Sequence, residues 1–150
     1  MAFVSITRLR VRSWLYLPVF ALYAFKSARE AARAEGNLTT RLLRDRRNTF
    51  WTGTVWTTDE AMKHFMLSGA HRRAMGKLPD WCDEAAVVHW TQESAELPSW
   101  QDACARLQSE GRRSKVNRPS STHVAHQFPE PRVRRTAELR FRGGPSQIGH

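Results

Sequence analysis

The order in which strand-like and helix-like segments follow one another is the feature that most constrains the fold of this chain. Residues 3–11 place Phe, Ser, Thr, Leu and Val on one face, with Arg8 and Arg10 on the other, and residues 84–92 alternate in a similar way. Residues 38–46 and 49–57 are two β-prone runs that only Arg47-Asn48 separates. An alternation of period two predicts a strand, and two such runs joined by a short turn predict a hairpin. The pattern therefore predicts four strands.

A segment with helical composition lies between the first two predicted strands. Pro18 has no N–H to donate and is best placed in the first turn of a helix, which the Ala- and Leu-rich residues 18–34 extend. Gly36 is expected to end this helix. Because its first half is apolar nearly all round, we expect that half to be buried on more than one side.

The remaining helices are predicted from capping patterns. Residues 57–60 (TTDE) fit a capping box, in which the Thr57 side chain accepts from the amide of Glu60. Helical spacing of apolar residues follows, is interrupted at Ser68-Gly69, and resumes over residues 70–78. Ser99 is predicted to cap a last helix that runs to Gly111.

The resulting order, β-α-β-β-α-β with an additional C-terminal helix, predicts an α+β fold. Such an order forms an antiparallel sheet with helices on one face, the ferredoxin-like arrangement. The uncovered face would expose Trp51, Val55 and Val87 or their neighbours to water. We therefore expect a second copy to pack against it and form a homodimer.

The C-terminal part of the chain differs in composition from the rest. Residues 112–150 hold nine Arg or Lys against two acidic residues, whereas residues 1–111 hold fifteen against twelve, so the net charge of +10 resides mainly in the tail. We expect residues 1–111 to form the domain, and the Pro-rich tail to be disordered or to lie over the body. No groove-reading motif accompanies the basic residues, so nucleic acid is not an expected partner.

The apolar run from Trp14 to Phe25 follows three arginines, a layout that mimics a signal peptide. It lacks a small-x-small cleavage site and is shorter than the ~20 residues that span a membrane. We therefore expect a cytoplasmic protein in which Cys82 and Cys104 are reduced and packed. Peripheral contact of this apolar helix with a membrane is the alternative.

Two motifs carry a resemblance to a known family. The stretch Phe50 to Met62, FWTGTVWTTDEAM, resembles the strand-to-helix junction of antibiotic-biosynthesis-monooxygenase domains, and Phe65 to Met75, FMLSGAHRRAM, is similar to their second motif. The Arg-rich first strand and apolar helix also faintly resemble spheroidene monooxygenase, a carotenoid-oxidising relative. The resemblance covers roughly residues 3–92 and implies the dimeric α/β-barrel form of the ferredoxin-like fold.

This resemblance implies a monooxygenase-type oxidoreductase that acts on an aromatic or polyene small molecule bound between sheet and helices. Cofactor-independent members are thought to let an electron-rich substrate anion reduce oxygen, so that the protein supplies a base, desolvation and orientation. Since a fold does not fix a function, a non-catalytic small-molecule-binding or stress-response module of the same fold is the alternative.

His71 and His89 are the candidate catalytic bases, because a neutral imidazole moves protons near physiological pH. Each has a structural alternative. His71 can be a partly exposed helix residue beside Arg72 and Arg73, and His89 a satisfied residue within its strand. The residues expected to contact the substrate are aromatic or large and apolar: Trp51, Phe65, Trp90 and Met75.

The sequence predicts no cofactor. Heme-degrading members of the superfamily use a Trp on this helix and a His at its end, and the matching positions here are Phe65 and Met75. Met is a poor substitute for imidazole on ferric heme, which disfavours heme degradation by that mechanism. Heme binding through another residue stays open. No zinc-binding spacing appears, so no metal is expected.

Overall fold

The central element of the fold is an antiparallel β-sheet. The computed structural model describes residues 1–134 and 137–142, and among these it has six strands in the spatial order β5-β4-β1-β3-β2-β6. The strands are β1 (Ala2–Val11), β2 (Asn37–Asp45), β3 (Thr49–Trp56), β4 (Cys82–Gln92), β5 (Arg112–Arg113) and β6 (Glu138–Arg142). The inner four strands, in the order β4-β1-β3-β2, confirm the predicted ferredoxin-like fold.

The helices follow the predicted order, with short additions. They are α1 (Leu17–Arg33), α2 (Asp59–Met66), α3 (Gly69–Met75), α4 (Leu78–Trp81), α5 (Trp100–Glu110) and α6 (Ser121–Ala125), and a 3-10 turn at Trp14–Tyr16 precedes α1. The predicted cap of α5 is confirmed, because the Ser99 hydroxyl accepts from the Asp102 amide at 3.1 Å.

The predicted cap of α2 is wrong by one residue. Thr58 caps this helix, and its hydroxyl accepts from the amide of Ala61 at 3.1 Å. Thr57 still belongs to the sheet region, because its own amide donates to the Gly36 carbonyl at 2.8 Å. The chain therefore leaves β3 one residue later than the capping pattern indicated.

One face of the sheet, here called the helix face, carries α1, α2 and α3. Two apolar clusters lie beneath these helices, one around Phe20, Phe50 and Trp81 and the other around Trp56 and Phe65. The prediction that the first half of α1 is buried on more than one side is wrong. Only one side of α1 faces the sheet, and residues such as Leu22 and Phe25 are exposed.

The opposite face is covered by the chain's own C-terminal segment and is here called the α5 face. Trp51 and Val55 are fully buried there, in one cluster with Trp100, Leu107 and Phe128. The expectation that these two residues meet water is therefore wrong, because α5 returns across the sheet.

Val87, the third residue expected on the bare face, instead pairs with Thr7 and alternates toward the helix face. The bare face was the physical reason for expecting a homodimer. The homodimer itself stays a prediction.

The predicted tail lies against the body wherever the structure describes it. β5 pairs with β4 and β6 pairs with β2, so the sheet continues beyond Gly111 on both of its edges. These two strands of the segment pack on the body, and the division of the chain at residue 111 stays a prediction. The parts at 135–136 and 143–150 lie outside the described residues.

Candidate functional site

A groove of about 540 Å³ lies on the helix face, between α1 and the edge of the sheet that β6 extends. Its wall on α1 is formed by Leu17, Pro18, Ala21, Ala24 and Phe25, and its wall on the sheet side by Leu42, Arg44, Phe50, Ala137 and Leu139. Nine of these ten residues are apolar, and the volume falls within the range of about 300–1,000 Å³ typical of small-molecule sites. The groove is therefore suited to a ligand with a large apolar surface.

The groove exists because α1 presents small residues toward this edge. Ala21 and Ala24 contribute only methyl groups, whereas Phe20 fills the space beside them, its ring centroid 4.8 Å from that of Phe50. At the far end, the ring of Phe25 meets that of Phe141 edge-on at 5.9 Å. The aromatic rings thus enclose the groove, which stays open because the alanine side chains are small.

A second hollow of about 340 Å³ adjoins the groove and shares Phe25 with it. It is more basic, since Arg29 and Arg33 of α1 line it together with Arg140. Within the described part of the chain, neither Arg29 nor Arg33 forms a salt bridge, and Arg44 in the main groove forms none either. Among the described residues, the apolar groove is therefore accompanied by three arginines that form no salt bridge.

His71 lies on α3 and is half-buried. Its ring centroid is 5.0 Å from that of Phe65, and its Nδ1 is 3.4 Å from the Met66 carbonyl oxygen. Burial lowers the pKa of His71, against the raising effects of that carbonyl and of the Glu30 charge. The neutral imidazole is thus the favoured form at physiological pH.

His89 lies on β4, with its ring centroid 5.4 Å from that of Phe3. Burial lowers the pKa of His89, and the positive charges of Arg112 and Lys63 lower it further. Both candidate bases therefore favour the neutral state in which a histidine can accept a proton.

The two histidines flank the same aromatic cluster from different elements. Phe3 packs on the cluster in which the rings of Trp56 and Phe65 stack at 5.4 Å. His89 contacts this cluster through Phe3, and His71 contacts it through Phe65. Protein side chains fill the space between these rings, and neither histidine is among the residues that line the groove.

The other predicted site residues lie elsewhere. Trp51 and Trp90 are on the α5 face, where the indole N–H of Trp51 donates to Asp45 at 3.3 Å and that of Trp90 donates to Gln92 at 2.9 Å. Met75, at the end of α3, is 45% exposed. Of the six predicted residues, the structure thus brings together only His71, Phe65 and His89.

Sequence reasoning did not identify the groove, because two of the five residues of its sheet-side wall, Ala137 and Leu139, come from the segment interpreted as a tail. Leu139 and Phe141 alternate with charged residues in Glu138–Arg142 and point toward α1. This five-residue alternation is a strand signal that could have indicated the edge strand.

Heme does not fit the residues at the position where the superfamily resemblance would place it. Phe65 is stacked on Trp56, and Met75 is directed to solvent rather than toward a cavity. The residues that line the groove include no His, Cys, Met or Tyr to bind the iron. Among the described residues, no group of three His, Cys, Asp or Glu side chains is placed to hold a metal ion.

The two cysteines carry no evident chemistry. Cys82 and Cys104 are both buried and unpaired with each other. Burial, together with the neighbouring Asp83 charge, raises the pKa of Cys82 to about 12, and burial also raises the pKa of Cys104. Thiols of this kind are unreactive, because the thiolate is the nucleophilic form.

Comparison with protein families matches residues 25–136 to a family described as "Domain of unknown function (DUF3291)". The chain belongs to this family. The matched range includes α1 from Phe25 onward, the inner sheet from β2, α5 and the tail as far as residue 136. No curated protein sequence matches the chain.

Solved structures with the same fold include several named for antibiotic biosynthesis monooxygenases. One is a candidate antibiotic biosynthesis monooxygenase from Nitrosomonas europaea, at a TM-score of 0.55 and 15% identity, which covers 61% of this chain and 90% of that one. Another is SnoaB, a cofactor-independent oxygenase from Streptomyces nogalater, at a TM-score of 0.52 and 20% identity, with 65% and 98% covered.

A third is Rv0793 from Mycobacterium tuberculosis, at a TM-score of 0.55 and 11% identity, with 63% and 97% covered. At these identities the similarity establishes the monooxygenase-like fold. The predicted resemblance to the antibiotic-biosynthesis-monooxygenase group is thereby confirmed at the level of structure.

Proposed function

We propose that this protein binds an aromatic or polyene small molecule in the groove beneath α1 and oxidises it as a monooxygenase-type oxidoreductase. The observation that carries the proposal is the groove itself, which has nine apolar lining residues, one arginine and a volume of about 540 Å³. The fold that it shares with SnoaB, a cofactor-independent oxygenase, supports the type of reaction.

In a cofactor-independent oxidation the substrate supplies the electrons. An activated CH₂ group loses two hydrogens and becomes C=O, with one atom of O₂ entering the carbonyl and the other leaving as water. The apolar walls would orient the substrate and exclude water. Arg44, without a salt bridge among the described residues, would stabilise the substrate anion that reacts with oxygen.

His71 and His89 stay candidate bases under this proposal. Their lowered pKa values support the role, because both imidazoles favour the neutral form. For either to act directly, the substrate would have to reach the aromatic cluster around Phe65. Arg44 supports an alternative in which an already acidic substrate is bound as its anion.

The separation of the histidines from the groove favours a second candidate function, a non-catalytic binding module. In that case the groove holds its ligand without chemistry, and the cluster of Phe3, Trp56 and Phe65 is purely structural. The two functions share the binding site and differ only in whether oxygen is consumed.

Oxygen uptake with an anthrone, an electron-rich polycycle with an acidic CH₂ group, tests the proposal. We expect one O₂ consumed per anthraquinone formed, and loss of both binding and uptake in Ala21→Trp, which fills the groove. Ala105→Trp, at an exposed position of α5, is the matched control and should retain both.

The outcomes separate the candidates. Binding that Ala21→Trp abolishes, without oxygen uptake in the wild type, would favour the binding module. Equal binding by the wild type and Ala21→Trp would overturn the groove as the site. Loss of uptake with retained binding in His71→Gln or His89→Gln would identify the base.

A further inference from the structure

The start of α1 and the turn before it present a group of apolar side chains to solvent. Trp14 is 73% exposed, Leu15 66% and Leu22 52%, and Val19 and Phe25 are exposed beside them. Among the described residues, five of the eleven exposed large apolar side chains fall within these twelve positions. Such a concentration on a globular domain marks an interaction surface.

The same side of α1 becomes basic toward its C-terminal end. Val19, Leu22, Lys26, Arg29 and Arg33 follow one another at spacings of three and four residues, and all five are exposed. Residues at this spacing form one stripe along a helix. The stripe is apolar over its first two members and cationic over its last three.

The cations of this stripe have no protein partner in the part of the chain that the structure describes, since no salt bridge reaches Lys26, Arg29 or Arg33. An unneutralised basic stripe beside exposed Trp and Leu side chains is the composition of helices that lie in a membrane interface.

We propose that this surface of α1 docks on an anionic lipid bilayer. Trp14, Leu15 and Leu22 would enter the boundary between headgroups and acyl chains, while Arg29 and Arg33 bind lipid phosphates. No helix in the described residues is long and apolar enough to cross a bilayer, so α1 would lie along the surface. This inference does not depend on the oxidation proposed above.

Charge favours a lipid surface over a second copy of this chain as the occupant. In a two-fold contact the same patch faces itself, so the second copy adds its own Lys26, Arg29 and Arg33 and the patch brings no opposite charge to neutralise them. The chain as a whole carries +10, so the repulsion extends beyond the patch. An anionic bilayer instead attracts every one of these charges.

The docking surface is continuous with the groove. Pro18 and Phe25 line the groove and are themselves exposed next to Leu22. A molecule dissolved in the bilayer would thus reach the groove without crossing water. This continuity explains why a binding groove and an exposed apolar patch occur on the same helix.

Trp14 provides a direct probe for the test. The other five tryptophans, at positions 51, 56, 81, 90 and 100, are each 9% exposed or less, so quenching by acrylamide reports mainly on Trp14. We expect vesicles that contain phosphatidylglycerol to protect Trp14 from acrylamide and to co-sediment with the protein. Vesicles of phosphatidylcholine alone should do neither at moderate salt. Trp14→Phe removes the signal and should largely retain co-sedimentation.

Paired variants establish which residues bind. Trp14→Ser with Leu22→Ser should weaken vesicle binding at least tenfold, and Arg29→Glu with Arg33→Glu should weaken it by roughly fivefold or more for each charge. The controls are Leu67→Ser, at an exposed apolar residue elsewhere, and Lys115→Glu with Arg118→Glu, at exposed tail residues. Both control variants should bind the vesicles with an affinity much closer to that of the wild type.

Two results would overturn the proposal. One is the absence of binding to phosphatidylglycerol vesicles at low salt. The other is an equal loss in the tail control and in the α1 charge variant, which would assign binding to net charge. If the protein does not bind vesicles but forms a dimer that requires Trp14 and Leu22, the surface would instead be assigned to contact with a second copy.

Discussion

The two faces of the sheet are covered in different ways. On the α5 face, α5 and the tail seal the sheet, and large residues such as Trp51 and Leu107 are completely buried. On the helix face, α1 buries Phe20 and three alanines but leaves a groove along one side and, next to the groove, apolar side chains in solvent. The difference agrees with the proposals made above, in which the helix face binds a ligand while the α5 face supplies stability.

The α5 face pairs its buried charge within the chain, although the Nε of Arg8 is buried without a hydrogen-bond partner among the described residues. Arg8 is 3% exposed and donates to Glu84 at 2.8 Å, while its guanidinium lies 4.9 Å from the Phe128 ring centroid. Glu84 accepts a further bond from Arg10 at 2.9 Å. A charge buried under an aromatic ring persists only when it is paired, so this part of the molecule depends on an intact network.

Truncating one aromatic residue on each face should have the largest effect and most sharply test the comparison. Trp51→Ala should lower the free energy of unfolding by about 3–5 kcal/mol, because a fully buried indole leaves a cavity. Phe25→Ala, on the groove, should cost less than about 1 kcal/mol, because the ring is 42% exposed. Chemical denaturation followed by circular dichroism measures both.

The same pair of variants separates stability from binding. Phe25→Ala should weaken ligand binding in the groove, whereas Trp51→Ala at a temperature where it stays folded should not. Equal losses of stability in the two variants would mean that the helix face is as tightly packed as the other, and the contrast would fail.

The next largest effect is expected at the buried ion pair. Glu84→Gln keeps the shape but leaves the Arg8 charge buried without its anion, and should cost about 3 kcal/mol of unfolding free energy. A variant within a few tenths of a kcal/mol of the wild type would show that the charge of Asp83 alone is enough to compensate Arg8.

The acid dependence of stability offers a second measurement on Glu84. Burial alone raises the pKa of Glu84, but hydrogen bonds and charges from Arg8 and Arg10 outweigh burial and hold the pKa below its usual value. A lowered carboxyl pKa contributes stability at neutral pH that is lost as the pH falls through the folded-state pKa. The difference in unfolding free energy between the wild type and Glu84→Gln should therefore shrink below about pH 4.

The smallest effect is expected at His71. Burial lowers its pKa in the folded protein, so the unfolded chain takes up a proton at higher pH than the folded one does. The contribution of His71 to stability should thus decrease as the pH falls from about 8 to about 5. Denaturation of the wild type and His71→Gln at both values measures this, and parallel pH profiles would refute it.

The inner fold could be predicted from the sequence because local patterns specify it. The hairpin β2–β3 and the strand β1 were predicted to within one residue at nearly every end, since period-two alternation is a local property. The helix α1 was also placed within one residue, at Leu17–Arg33. These elements form the part of the fold in which chain neighbours are spatial neighbours.

The outer elements could not be predicted in the same way. β6 consists of five residues in a Pro- and Arg-rich segment, and it forms only because the exposed edge of β2 offers hydrogen bonds, far away in sequence. β5, with two residues, depends on β4 in the same manner. Tertiary pairing of this kind overrides weak local propensity.

The candidate site was predicted only in part for the same reason. His71, His89 and Phe65 lie around one cluster, but sequence periods did not show whether either histidine points inward. The face of Trp51 followed from alternation, whereas Val87 was expected on the wrong face. What covers each face depends on the path of the chain after Gln92. Leu139 of β6 forms part of the groove wall, so the groove could not be predicted without β6.

The pairing of β5 and β6 has a consequence for how the chain avoids self-association in the cell. An open sheet presents unpaired backbone groups at each margin, and such margins recruit strands from other molecules. Here the long strands β4 and β2 are both capped by short strands that carry charge, Arg112 and Arg113 on one margin and Arg140 on the other. The charged short strands of the basic segment after Gly111 thus disfavour polymerisation through the edges of the sheet.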